Sequence, residues 1–335
     1  QLMESLEVTI NDDEIIIDEA EEEVEQEMPF DANLAEYLDD YVLGSISKKL
    51  INDVENDKES RKEWMKTYTD GLKYLGMRFD EQRSQPFEGS SGVIHPILAE
   101  AVTQFQAQAY KELLPAQGPV KTQIVGQRDA NTEMQAERVA EFMNYYIMNE
   151  MPEYDPELDQ LLFYLPLSGS AFKKVYYDAS IRRPVSKFVP SEDLLVPYEA
   201  TDLLSAERVT HIVSMSNNEV RKLQLSGFYA DIELTGSEVE TRDTVTEEID
   251  KIQGVEPEYN NDEQRRLYEI HTVAEIEGFE DIDENGEPTG LKLPYIITID
   301  ESSQKVLSVR RNYEPNDPIK NKINYFVQYK FLPGL

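Results

Sequence analysis

The spacing of apolar positions changes near Gly169 and divides the chain into two textures. Before it, apolar residues recur at helical spacing. Trp64, Tyr68, Leu72 and Leu75 follow at intervals of 4, 4 and 3 and predict one buried helix face. A second helix opens near Pro96, where a missing N–H costs nothing, and carries Ile97, Ala101, Phe105 and Ala109 at intervals of four. Pro115, Gly118 and Pro119 stop it and open a short strand. A third helix is expected from Thr132, with Gln135 at the capping-box spacing and Val139, Phe142, Met143 and Tyr146 as its buried stripe. A fourth starts at Asp155-Pro156 and closes before Gly169.

Beyond Gly169 the period shortens to that of strands. "AFKKVYYD" and "PVSKFV" predict a hairpin turning over residues 179–183, and "RVTHIVSM" a further strand. Ser216 then caps a short helix, Glu219 completes the box and Gly227 ends it. Residues 231–263 are polar and acidic and read as a long loop. "LYEIHTVAEIE", "LPYIITID" and "KVLSVRRNY" follow as a meander, which can leave one face for a neighbour. The fold class expected is α+β: an acidic tail or arm over residues 1–45, a mainly helical segment over 46–167 and an α/β segment over 168–335.

Charge separates the first part from the rest. The first 40 residues hold 16 acidic side chains, and no Lys or Arg precedes Lys48. Such a block repels itself and stays solvated, although "LEVTI" and "EIIID" interrupt it with apolar pieces able to form edge strands. A mobile tail and an ordered arm both remain open. The whole chain carries −35, and removing those 16 charges leaves −19 on the remainder, so the body is acidic too. That balance disfavours tight phosphate contacts with duplex DNA. The absence of cysteine excludes disulfides and thiolate metal sites and suits a reducing cytoplasm. No apolar run reaches the ~18–20 residues of a membrane span. The chain opens on Gln1 rather than Met, which fits a start lying upstream.

Catalytic chemistry is hard to assemble from this sequence. His95, His211 and His271 stand apart and share no metal-ligand spacing, so each reads as a satisfied ring in a strand or at a helix start. "GSSG" at 89–92 lacks the rest of a phosphate loop, and "SGS" at 168–170 lacks the flanking glycines of a nucleophile elbow. "DIDENG" starts like a calcium loop, but its twelfth position is Lys292 and strands flank it, so an acidic β-turn is expected. Carboxylates such as Glu192 and Asp193 are the remaining candidates for a hydrolase. No enzymatic activity, cofactor or metal is expected.

In so acidic a chain the arginine pairs stand out. Arg182 and Arg183, Arg265 and Arg266, and Arg310 and Arg311 are candidates for contacts with an acidic neighbouring subunit, for instance with residues 247–250. The planar guanidinium suits bidentate carboxylate binding. Pairing within their own sheet is the competing reading.

Three long stretches carry a resemblance: "PFEGSSGVIHPILAEAVTQFQAQAYKELLPAQGPVKTQIVG", "ERVAEFMNYYIMNEMPEYDPELDQLLFYLPLSGSAFKKVYYD" and "SKFVPSEDLLVPYEATDLLSAERVTHIVSMSNNEVRKLQLSGFY". With "LYEIHTVAEIEGFED", "LPYIITID" and "VLSVRRNYEPND", they resemble the portal proteins of tailed bacteriophages, in particular the short-tailed group. The likeness runs from about Pro86 to Leu335; the acidic first 45 residues match only in character.

The resemblance implies a structural subunit of a ring, usually of twelve copies, at one capsid vertex of the virion, assembled in the host cytoplasm. The ring passes duplex DNA without sequence specificity and docks the terminase motor, the tail adaptor and capsid or scaffolding proteins. ATP is hydrolysed by the separate terminase, and no membrane is involved. The stretch present here corresponds to the peripheral wing; the family's stem, clip and channel loop follow it. An acidic wall also suits a conduit along which phosphates must slide. The alternative from another class is a soluble acidic adaptor or DNA-mimic binding protein.

Overall fold

The structure, a computed structural model, describes residues 6–11, 14–19, 28–76, 95–235, 264–282 and 287–331, with Val245 and Ile249. It forms two compact units divided between Ala32 and Asn33. The first contains an antiparallel hairpin, β1 (Leu6–Asn11) and β2 (Glu14–Glu19), in which Leu6 pairs with Glu19 and Asn11 with Glu14. The two apolar pieces of the acidic arm thus pair with each other. A lone two-stranded ribbon is marginal in water.

The second unit is α+β, with helices up to Ser168 and antiparallel strands dominating afterwards. It begins at Asn33, so the boundary falls earlier than residue 45. Charge content masks this, because one short apolar pair fixes the segment: Leu34 is fully buried and Ala35 nearly so in a 3₁₀ turn (Leu34–Glu36). The helices are α1 (Asp40–Ser60), α2 (Lys62–Leu75), α3 (Ile97–Leu113), α4 (Ala130–Tyr145, continued by a π turn over Tyr146–Glu150), α5 (Tyr154–Ser168) and α6 (Asn217–Leu225). Strands β3 (Ser170–Asp178), β4 (Arg183–Val189) and β10 (Phe326–Lys330) form a three-stranded sheet in the order β10-β3-β4. Strands β5 (Leu194–Leu195), β6 (Arg208–Ser216), β7 (Gln264–Ala274), β8 (Leu293–Asp300) and β9 (Val306–Arg311) form a five-stranded sheet in chain order.

Several elements follow the expected pattern. Tyr68, Leu72 and Leu75 of α2 are buried together with Val102 and Val245. Helix α5 ends at Gly169, whose φ of 78° is the left-handed cap that glycine adopts without strain. Ser216 and Glu219 make a complete capping box on α6. The β7-β8-β9 meander is present.

Other elements differ, each for a physical reason. The buried stripe of α3 follows Leu98, Val102, Phe105 and Ala109, at 4-3-4 spacing, while Ile97 is 70 % exposed. A strict interval of four drifts around a helix of 3.6 residues per turn. Helix α4 is capped by Asp129, whose carboxylate accepts from the Asn131 and Thr132 N–H groups, with Thr132 as the reciprocal member. Its apolar stripe is not buried: Val139, Phe142 and Met143 are all exposed and Tyr146 is half-buried. Periodicity defines an apolar face but not whether anything covers it. The segment after Pro119 has no regular secondary structure and does not pair as a strand. Instead the Asn144 side chain takes the Val120 N–H at 2.8 Å and donates to its carbonyl at 3.0 Å. A Cβ on Gly118 would meet Asn144 at 2.3 Å.

Two sheet edges are closed by side chains. On β9, Asn33 donates to the Leu307 carbonyl at 3.1 Å and accepts from the Val309 N–H at 2.9 Å, imitating the amide of one more strand. On β4, the Phe188 N–H donates to Glu157 at 2.6 Å, and the Ser186 backbone donates to Glu153. Replacing Asn33 by Ala strands two buried backbone groups and is expected to cost about 2 kcal/mol, read as a lower urea midpoint at unchanged slope.

Candidate functional site

The structure resolves where the six arginines lie. Arg183 forms a bidentate pair with Glu153 of α5, at 2.6 and 2.8 Å. Arg265 is buried: it donates to Asp300 at 3.0 Å, to Asn217 at 2.7 Å and to the Leu234 carbonyl at 3.2 Å. Arg266 lies 4.0 Å from Glu301. Arg310 covers the Phe228 ring at 4.4 Å and donates to the Phe228 carbonyl at 2.9 Å. Arg311 stands 5.8 Å from the Phe279 ring centre. Each of these five has partners within its own chain. Arg182 differs: it sits exposed at the hairpin tip with φ 55°, and no ion pair with a described residue holds it. Glu247, Glu248 and Asp250, the expected acidic partners, lie outside the described residues, as does the "GSSG" stretch.

The most concentrated chemistry lies between the two sheets. Phe172, Val189, Leu194, Val209 and Phe326 form an apolar cluster there. Within this junction Glu269 of β7 accepts both Lys174 of β3, at 2.6 and 2.7 Å, and His271 Nε2 at 2.7 Å. The register of β6 against β7 sets His211 directly opposite Glu269. The Phe326 ring packs edge-on against both imidazoles, with centroids 5.7 and 5.1 Å away.

The electrostatics follow from this enclosure. Burial acts to raise the Glu269 carboxyl, but the His271 hydrogen bond and the Lys174 charge together outweigh it and hold the group well below the usual carboxylate range. His211 is pushed down to about 3, first by burial and then by the Lys174 charge. Its Nδ1 is shut off from water and meets no partner among the described residues. A neutral ring, an ionised carboxylate and a lysine can lock two sheets together, but they offer no nucleophile with an activating base.

Lys173, adjacent to Lys174, must face the other way because strand side chains alternate. It lies against α5, only 2 % exposed, with Nζ 4.0 Å from the Tyr154 ring centre and no hydrogen-bond partner among the described residues. Burial pushes it down to about 8, against the opposing pull of Glu157 and Glu153. Lys173→Met is expected to stabilise the protein by about 2 kcal/mol at pH 7. The folded amine binds its proton less tightly than the unfolded one, ordinarily near 10.5, so the parent gains stability as pH rises from about 8 to about 10.5. The advantage of Lys173→Met should vanish across that window in denaturant titrations.

The adjacent lysines were the sequence signal for this junction, since one must enter each side of a covered strand. The partner was hidden: Lys174 and Glu269 are 95 residues apart. Ser168 of the "SGS" stretch donates to the Tyr164 and Ser170 carbonyls. Glu192 and Asp193 lie in a 3₁₀ turn (Ser191–Asp193) clamped by Arg61, which donates to the Ser191, Glu192 and Leu194 carbonyls. Asp281 pairs with Lys320 and Thr289, and residues 283–286 of the acidic turn lie outside the described set. Among the described residues no group of three potential ligands is placed to hold a metal, and no helix is long and apolar enough to cross a membrane. No protein-family model matches the chain, and no curated protein matches it significantly.

Proposed function

We propose that this chain is the wing part of a portal-ring subunit of a short-tailed phage, a structural protein working as one copy of a closed assembly. The observation that supports assembly is α4: Val139, Phe142 and Met143 are 52, 63 and 41 % exposed on a helix with no buried residue. An acidic DNA mimic works through its charged surface and has no use for an apolar strip. A ring subunit does, because like-charged copies need uncharged surface on which to meet. The acid-rich body, carrying −19 beyond residue 40, then buttresses from the periphery a conduit for DNA that terminase fills and the tail adaptor receives. The native mass of the full-length protein tests this. A multiple of the chain mass, near twelve-fold, is expected; a stable one- or two-copy species would favour the acidic adaptor instead.

A further inference from the structure

Strand β10 presents an edge that nothing described closes. Val175 N–H donates to the Tyr325 carbonyl at 2.8 Å, and Phe331 N–H to the Gly169 carbonyl at 3.0 Å. Given the antiparallel register, residues 325, 327, 329 and 331 bond toward β3, so Phe326, Gln328 and Lys330 direct their backbone groups outward. The opposite edge of the same sheet is capped by Glu153 and Glu157, and the far edge of the larger sheet by Asn33. An uncapped edge beside capped ones is a place for strand addition.

Charge indicates which strand. Of the cations in these three strands, Lys174 and Arg183 pair with Glu269 and Glu153 and Lys173 is buried, which leaves Lys187 and Lys330 to present charge, against one acidic residue, Asp178. Residues 318–335 contain three lysines and no Asp or Glu, in a chain of net charge −35. Lys187 and Lys330 are exposed. The first 40 residues are the reverse, with 16 acidic side chains and no Lys or Arg, and they contain the β1–β2 hairpin. A two-stranded ribbon has two unpaired edges and gains most from a third strand.

We infer that the acidic arm of one copy adds its hairpin to the β10 edge of a second copy. This rests on the reading that copies of the chain assemble, and it names the contact that links them. The arm's charges offset the exposed Lys187 and Lys330, and the main-chain ladder supplies the directional part of the binding.

The chain lacks cysteine, so pairs of introduced thiols report the contact cleanly. One copy carries Val327→Cys; a second, mass-tagged copy carries a single cysteine at Val8, Ile10, Ile16 or Asp18 in turn. A disulfide between the two chains is expected for at least one arm position after mixing and mild oxidation at low salt. Adding Gln328→Pro to the first copy removes an outward N–H and spares the bonds to β3, since proline is tolerated on an edge. It should lower the yield at least ten-fold without changing the far-ultraviolet spectrum. Absence of a linked pair at every position overturns the inference. So does linkage found only inside a chain carrying both cysteines at high dilution. A ring-sized mass without linkage defeats the arm contact alone, whereas a single-copy mass defeats the ring reading.

Discussion

Glu269→Ala is expected to destabilise the protein by roughly 3–5 kcal/mol, the usual penalty for removing one partner of a buried ion pair. Lys174 is only 15 % exposed at its side chain and holds both Glu269 oxygens, while His271 holds one of them. Without the carboxylate, a lysine and an imidazole remain enclosed beside Phe326 with no acceptor. Lys174→Met alone should cost a similar amount, because it leaves the carboxylate behind. The double substitution Lys174→Met with Glu269→Leu is expected to recover most of the loss, since apolar groups of similar volume substitute well for a buried pair. Urea titration of the four proteins gives the cycle. Additive losses in the double variant would show that the two residues contribute separately rather than as a pair.

Acid should weaken the same junction in two stages. His211 has its folded pKa lowered to about 3 from 6.5, so the unfolded chain binds the proton first. Its contribution to stability is therefore complete above about pH 6.5 and is lost progressively as pH falls toward 3. Glu269 is also lowered, from 4.5, so its contribution is present above 4.5 and is lost below it. The parent is expected to lose about 2–3 kcal/mol between pH 6.5 and 4.5 at His211, with Glu269 steepening the loss further down. His211→Phe keeps a ring against Phe326 and removes the titration. Its stability should stay level from pH 7 to about 5 and fall only further down, where the unfolded chain takes up protons at Glu269 and at other lowered carboxylates such as Glu153. An unchanged slope between pH 6.5 and 5 in that variant would remove His211 from the account.

The parts of this fold legible in the sequence are those specified within a few residues. The α5 terminus needs only Gly169, the α6 start only Ser216 and Glu219, and the meander only three strand-like runs with short links. The unread parts depend on distant partners. Strand β10 lacks a strong alternating pattern and exists because β3, about 150 residues earlier, pairs with it. The destination of Arg265 was set by the register of β7 against β8, which aligns Leu267 with Asp300 and brings the acid within reach. The α4 stripe has the spacing of a buried face, but sequence shows only that a face is apolar and is silent on what covers it. The Glu269 junction follows the same logic: strand alternation puts one lysine on each side of β3, but the acceptor comes from another sheet.

The Asn33 contact also bears on the order in which the chain is made. Asn33 waits for Leu307 and Val309, 274 and 276 residues further on, and Ser47 for the Gln304 carbonyl. Asp53 and Asp57 of α1 wait for Arg208, and Lys58 for Tyr268 and Glu301. A ribosome adding about 5–20 residues per second reaches those partners tens of seconds after α1 has emerged. Throughout that interval Leu34, Leu50 and Val54 have no sheet to cover them, so the earliest helix translated is among the last to be buried. The 16 acidic side chains of the first 40 residues are translated ahead of most of that helix, so the chain's most highly charged stretch emerges just before its first apolar face, which stays bare longest.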